Sequence, residues 1–391
     1  MFSQLNVEDR PQIWDVDWVL NLRSVLLACE NIRVYPSQIV ISTDSNGGRL
    51  SFVHGVPGAS GLASINFSQD KRKRRALMER AGVPIPKGAT FSYGRGQVLA
   101  KRFAERTGFP VTLKPALGDN GVDAALGIRG VDELEQALAK LSLPPEERPH
   151  HNKSSYRMML LDEPEREPEG LRVPPKYKFI VEKHIVGTLY RFLVSAGEII
   201  GTVQCEGSPS DGTFVGGTDV SNSVDPELAR IALEAANAVP EMLACAIDVV
   251  AVSEPVRYGD SGVVVDFHER PGLWVQEKID IALAEACSDR LLEDYARDQN
   301  VALSDAIEDT GNVTVHIEVA SLSNLPLYLA QVSAIAERFG VRFTPSAPES
   351  SGSGLAGLLN GSATAIAALI NSAMSSASAV HIPEIALTRM S

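Results

Sequence analysis

The run KYKFIVEKHIVGTLYRFLV, residues 176–194, constrains the fold more than any other stretch. It reads as a strand, a short exposed connector and a second strand, because β-branched and aromatic residues dominate both arms and GluLys marks the junction. Upstream, FPVTLKPALGDNG places Lys114 after an apolar strand and before a glycine-containing loop. Downstream, CAIDVV and GVVVDFHERPG place Asp248 and Asp266 at the ends of two further apolar strands. A lysine beside a glycine loop suits phosphate, and a strand connector offers backbone groups to an adenine edge. Carboxylates on neighbouring strands suit magnesium, which prefers oxygen ligands. Together these features imply an ATP site.

A chain of 391 residues is long enough for two or three domains. Its 36 basic and 49 acidic residues give a net charge of −13, which argues against non-specific nucleic-acid binding. The exception is KRKRR at 71–75, read, Lys71 apart, as the solvated face of a helix. Cys29, Cys205, Cys245 and Cys287 are widely separated and form no metal-binding pattern, so buried free thiols are expected. The N-terminus carries early acids rather than an apolar leader, and no run approaches the roughly twenty apolar residues of a membrane span. The expectation is a cytoplasmic protein with small-molecule partners and neither nucleic acid nor membrane.

Three regions follow from the pattern: an N-terminal α/β segment at 1–67, a central region at 68–300, and a C-terminal two-layer α/β domain at 310–391. The first alternates a helix over DWVLNLRSVLLACENI with strands QIVIST and LSFVHG around GlyGly. In the second, SQDKRKRRALMERAG reads as a helix capped by Ser68 and ended by Gly82. Strands PVTLKP and AALGIR and helix VDELEQALAKL come next, followed by two charged excursions, 143–154 and EPEREPEGLRVPP, read as surface loops around a strand YRMMLLDE. AlaGlyGlu turns RFLVSA into EIIGTVQC, and SPSDGTFVGGTDVSNS is a glycine-rich loop before the helix that begins at Pro226. The last region reads βαβαβ, with a Ser/Gly loop before the helix TAIAALINSAM.

Over 68–274 the chain resembles the ATP-grasp superfamily. The resemblance is to its carboxylate–amine ligases, such as D-alanine-D-alanine ligase, glutathione synthetase and the ATP-grasp portion of cyanophycin synthetase. It rests on five segments in order: QDKRKRRALMERAGVPIPKG, GFPVTLKPALGDNG, IVEKHIVGTLYRFLV, GGTDVSNSVDPELARIALEAA with AIDVV, and VVDFHERPGL.

The resemblance implies an α+β ATP-grasp fold in which two α+β subdomains clasp ATP, with a lid at about 106–183. It further implies an ADP-forming ligase that phosphorylates a carboxylate and lets an amine displace phosphate, with two magnesium ions and cationic side chains neutralising charge. By the same resemblance Lys71 and Lys114 contact phosphate, with Gly118 and Gly121 in the closing loop. Glu182, Lys183 and Ile185 form the adenine connector. Asp248 and Asp266 hold magnesium, with His268 or Glu269 as a further ligand, and Arg191 and Arg270 balance phosphate charge. His268, Asp211 and Asp219 are candidates for the group that accepts the amine proton.

Four departures from the family pattern stand out. Leu189 replaces a ribose-binding acid, His268 replaces an asparagine, Val122 and Asp123 interrupt the glycine spacing, and Asp266 is shorter than the usual glutamate. Two other functions therefore stay open: a regulatory protein that binds ATP without turnover, and a phosphotransferase. HIEVASLSNLP reads first as an internal sheet strand; as a sheet edge it would leave a homodimer open.

Overall fold

The computed structural model describes residues 15–117, 123–148, 164–174, 177–210, 213–252, 261–305, 307–309, 311–320, 322, 324–346, 354–375, 382 and 384–390. The chain forms two compact units, one of Met1–Ala59 with Gly272–Ser391, the other of Ser60–Pro271. The first begins with helix α1 (Val16–Ala28) and strands β1 (Asn31–Tyr35), β2 (Ile39–Thr43), β3 (Arg49–Val53) and β4 (Val56–Pro57).

The second unit follows with α2 (Leu62–Gln69), α3 (Lys71–Ala81), β5 (Gly88–Ser92), α4 (Arg95–Thr107), β6 (Val111–Pro115), β7 (Ala125–Ile128) and α5 (Val131–Leu141). A small hairpin, β8 (Glu165–Glu167) and β9 (Gly170–Arg172), precedes β10 (Lys178–Lys183), β11 (Thr188–Ser195), β12 (Glu198–Glu206) and β13 (Gly216–Asp219). The unit closes with α6 (Pro226–Ala238), β14 (Ala244–Ala251) and β15 (Gly262–His268). The chain then returns to the first unit with α7 (Trp274–Ile279), α8 (Ile281–Gln299), β16 (Val313–Val319), α9 (Leu325–Arg338), β17 (Arg342–Ser346), β18 (Leu355–Gly361), α10 (Ala363–Ser375) and β19 (Ile385–Arg389).

The site-bearing unit is two α+β halves. One is the antiparallel sheet β5-β10-β6-β7, and the other is the sheet β13-β12-β11-β14-β15. Strand alternation gives each sheet one apolar face, which its helices cover. Ala100, Ala104, Leu134, Leu138 and Leu141 from α4 and α5 pack on Val111, Leu113, Phe179 and Val181. Met78, Leu228, Ile231, Ala232 and Ala235 from α3 and α6 pack on Phe192, Val194, Ile247, Val249 and Phe267. The opposite faces carry the polar residues at alternate positions, so the same period that builds the two cores presents Lys114, Glu182, Arg191, Asp248 and Asp266 away from them.

The first unit joins both ends of the chain in one sheet, ordered β17-β18-β16-β19-β1-β2-β3-β4. Asn31 pairs with Thr388 and Val34 with Ile385, so the N-terminal segment and the C-terminal region, which the sequence treats as separate, share a ladder. The C-terminal part is βαββαβ with all neighbours antiparallel, a split βαβ arrangement. It contains β18, where a Ser/Gly loop and helix were expected; LAGLLNG is apolar on every residue but one, and that composition alone does not separate strand from helix.

Several local expectations change. NIRVY is strand β1 rather than the end of the first helix, which stops at Ala28. The helix expected from Ser68 is split at Asp70, whose carboxylate accepts from the Arg72 N–H at 3.1 Å and is the true cap of α3. Ser68 instead ends α2, its hydroxyl donating to the Ile65 carbonyl. Gly82 ends α3 at φ +76°, as its position predicts. EPEREPEGLR holds the β8–β9 hairpin, and GGTD in the glycine-rich loop is β13, which pairs with β12. The expected strand YRMMLLDE lies outside the described residues. All four cysteines are buried and form no disulfide.

Candidate active site

A cleft of about 560 Å³ separates the two sheets of the second unit, a volume within the usual range for small-molecule sites. Its walls include Thr112, Lys114, Glu182 and Lys183 from the four-stranded sheet, Leu189, Asp248, Val250, Val265 and Asp266 from the five-stranded sheet, and His184, Ile185, Gly187 and Ser210 from connecting segments. Six residues singled out in the sequence thus line one cavity: Lys114, Glu182, Lys183, Ile185, Asp248 and Asp266.

Pairing register brings the charges together. Arg191 on β11 lies opposite Asp248 on β14, which lies opposite Asp266 on β15, so the three share one face across three strands. A bulge between Asp248 and Val249 leaves Val265 as the extra residue of β15. Bulges re-aim side chains, and here Val265 and Asp266 both line the cleft although they are adjacent in sequence. The Val265 carbonyl accepts from Lys114 Nζ at 2.7 Å. Lys114 Nζ also lies 2.9 Å from Glu182 Oε1 and 4.0 Å from Asp266 Oδ2. One lysine therefore ties the four-stranded sheet to the five-stranded one.

Arg191 grips Asp248 in a bidentate pair, Nε to Oδ1 and Nη2 to Oδ2, both at 2.7 Å. Arg74 Nη2 donates to Asp266 Oδ1 at 2.7 Å, and the Phe267 N–H donates to the same oxygen at 2.9 Å. Burial alone raises a carboxyl pKa, but Arg191 outweighs it at Asp248 and holds that group well below the usual range. At Asp266 burial is likewise outweighed, by Lys114 and Arg74 first, with His268 and Lys71 adding to them. Burial acts to lower the Lys114 pKa, yet Glu182 and Asp266 overcome it and push the ammonium up. The cleft is thus a fully ionised lattice at neutral pH.

His268 Nε2 is 2.9 Å from Arg191 Nη2 and 3.3 Å from Asp248 Oδ2. The same ring nitrogen thus faces a guanidinium and a carboxylate at once. Glu269 is turned elsewhere: Gln69 Nε2 donates to Oε1 at 2.9 Å, and Oε2 lies 3.1 Å from Ser68 Oγ, whose one hydrogen is shared with the Ile65 carbonyl. Arg270 is buried on the segment after β15, and neither it nor Arg191 is among the cleft walls. Asp219 is exposed and accepts from Ser221. Gly118, Gly121 and Asp211 lie outside the described residues.

Lys71 is buried at the start of α3 and lines a small adjoining cavity with Arg74, Arg75, Lys114, Glu182 and Asp266. The basic run is therefore not a solvated face apart from Lys71. Arg74 is buried on Asp266, and Arg75 lies 3.5 Å from Glu182 Oε2. The signal was present in the spacing, since Lys71, Arg74 and Met78 fall on one helical face and Met78 belongs to the core. Ser210 had no such signal; the loop brings its hydroxyl 3.3 Å from Asp248 Oδ2 and 3.4 Å from Asp266 Oδ2.

The connector between β10 and β11 spans residues 184–187. Ile185 is buried with Val250 and Val263, and Leu189 and Val265 pack on them. Leu189 thus contributes to an apolar wall rather than a polar contact. Gly187 is required by space: a Cβ there would lie 2.0 Å from the Ala251 carbonyl oxygen.

Among the described residues no group of three or more His, Cys, Asp or Glu is arranged to hold a metal ion. The two carboxylates nevertheless fit magnesium in chemistry. Asp266 Oδ1 is saturated by two donors, whereas its Oδ2 and the Oδ2 of Asp248 both point at the Ser210 hydroxyl and have acceptor capacity left. No helix among the described residues is long and apolar enough to cross a membrane.

No family model matches the chain. Cyanophycin synthetase from Synechocystis is 25% identical over 145 residues, 37% of this chain and 13% of that protein. The Nostoc cyanophycin synthetase is 23% identical over 252 residues, 54% of this chain and 27% of that protein. The chain thus spans about a quarter or less of these relatives' lengths. Among solved structures, D-alanine-D-alanine ligase from Bacillus anthracis complexed with ATP overlaps 62% of this chain and 69% of its own, with 15% identity and a TM-score of 0.41. A bifunctional glutathione synthetase from Pasteurella multocida overlaps 60% of this chain and 37% of its own, with 12% identity and a TM-score of 0.35.

Proposed function

We propose that the protein is an ATP-dependent, ADP-forming ligase that joins the carboxylate of an amino acid or related small acid to an amine through an acyl phosphate. The observation that supports this best is the buried set Asp248, Asp266, Lys114 and Glu182 lining one cleft between two α+β halves, with Arg191 paired to Asp248 behind it. An unactivated carboxylate has a poor leaving group, and phosphorylation divides the difficult step into two easier ones.

ATP fits with its base against Ile185, Leu189, Val250 and Val265 and its edge toward the backbone of the 184–187 connector. Its phosphates then extend toward Lys114, Lys71 and Arg74, fixed cations that meet charge developing on the transferred group without reorganisation. Asp248 and Asp266 would hold magnesium, which supplies charge neutralisation on the phosphoryl oxygens when bound. Arg191 keeps Asp248 ionised and oriented for that task. The apolar core beneath the cleft limits water, which otherwise hydrolyses an acyl phosphate.

The test is ATP consumption with magnesium, pooled small carboxylates and hydroxylamine as amine trap, with ADP and AMP separated. ADP with a hydroxamate is the expected result, and AMP would sink the mechanism. ATP binding without turnover would favour the regulatory reading, to which Leu189 in the ribose position and His268, held against Arg191 and Asp248, lend weight.

A further inference from the structure

Two carboxylates are a thin ligand set for a divalent cation, and the two residues next in line by sequence do not complete it. His268 Nε2 lies against Arg191 Nη2 at 2.9 Å and Asp248 Oδ2 at 3.3 Å, and the oxygens of Glu269 face Gln69 Nε2 at 2.9 Å and Ser68 Oγ at 3.1 Å. The group that meets both acids is Ser210. It is about nine-tenths buried, lines the cleft, and its Oγ stands between Asp248 Oδ2 at 3.3 Å and Asp266 Oδ2 at 3.4 Å.

These distances are informative. A hydroxyl has one hydrogen, and a strong O–H···O bond is about 2.7–2.8 Å long. Ser210 satisfies neither acid fully and faces both at nearly equal range. Among the described residues, Asp266 Oδ1 takes Arg74 and the Phe267 N–H, while its Oδ2 has Lys114 at 4.0 Å besides Ser210. Asp248 Oδ2 takes a bond from Arg191 and lies 3.3 Å from His268 Nε2 as well as from Ser210. One oxygen each from β14 and β15 thus lies within 3.4 Å of a single hydroxyl from the loop after β12, and an all-oxygen set is what magnesium selects.

We infer that Ser210 Oγ is the third protein ligand of the divalent cation. This rests on the reading of the cleft as a nucleotide–metal site. A cation between the acids would replace the single shared hydrogen with a centre that all three oxygens meet at once.

The experiment titrates Mn²⁺ into the full chain with a non-hydrolysable ATP analogue, following free Mn²⁺ by electron paramagnetic resonance. Ser210→Ala should weaken Mn²⁺ binding about 10-fold, on the scale of losses at metal-site partners, while affinity for the analogue measured in EDTA stays at the wild-type value. Ser210→Cys should weaken Mn²⁺ similarly and gain affinity for Cd²⁺, because a thiolate prefers the softer ion. That gain is not expected from a serine that only shapes the loop, and it decides the matter should the alanine variant fold poorly. Unchanged Mn²⁺ affinity in Ser210→Ala, or no change of metal preference in Ser210→Cys, would overturn the assignment. Wild-type protein that binds the analogue but no Mn²⁺ would overturn the metal site, and protein that binds neither would overturn the underlying reading of the cleft.

Discussion

Lys114 is at once a bridge and a charge. It contacts Glu182 and the Val265 carbonyl, which fix its ammonium in place, as the proposed phosphate contact requires. Lys114→Ala should lower turnover by about 10²-fold, the scale seen when one fixed donor to a developing charge is removed; steady-state ATP consumption with a true substrate pair would show it. Asp266→Asn should raise the magnesium concentration needed for half-maximal rate, and wild-type behaviour of both variants would remove them from the site. The acids also make a pH prediction. Asp248 and Asp266 have native pKa values held below the unfolded value of about 3.9, so in this range the unfolded chain binds more protons. Their contribution to stability is complete above about pH 4 and is lost as pH falls through the native values. Urea midpoints measured from neutral pH downward should fall on the acid side of pH 4, and Asp248→Asn, although less stable throughout, should show a shallower fall.

At the scale of elements, the connector 184–187 shows how narrow the tolerance of the cleft is. Gly187→Ala would drive a methyl into the Ala251 carbonyl and toward Val250, so the connector or the end of β14 must shift. The expected result is a loss of about 1–3 kcal/mol in stability, as for other overpacked sites, together with weaker binding of an ATP analogue; calorimetry would read both. Removing the α3 cap with Asp70→Ala should cost about 1 kcal/mol or more, since that carboxylate also pairs with Arg72. What the sequence revealed follows the same geometry. Lys114, Glu182, Asp248 and Asp266 were readable because each interrupts an apolar run at the period of a strand. Arg74 was hidden by the basic run around it, although its spacing from Lys71 placed both on one face. Ser210 was not readable, because its position depends on a loop meeting two strands that pair through residues about forty and sixty positions away in the chain. NIRVY was hidden beside a strong helical pattern, since its partner β19 lies at the other end of the chain.

At the scale of the molecule, β1 pairs with β2 on one side and β19 on the other, and β19 continues into β16. α1, buried along its whole length, packs on α8 and α10. A chain cut after residue 309 should therefore lose the first unit's cooperative unfolding and associate through its bared β1 edge, whereas a fragment of residues 60–271 should fold by itself. Size-exclusion chromatography and thermal melts of the two fragments would check this; a monomeric, cooperatively melting cut chain would contradict it. The same connectivity orders events during synthesis. The second unit is one uninterrupted stretch and can fold as soon as it leaves the ribosome, but Asn31 must wait for Thr388. Between the synthesis of residue 271 and that of residue 388 the nascent chain carries a finished second unit tethered to an unfinished sheet, so the longest exposure to chaperones and proteases falls on the segment of β1.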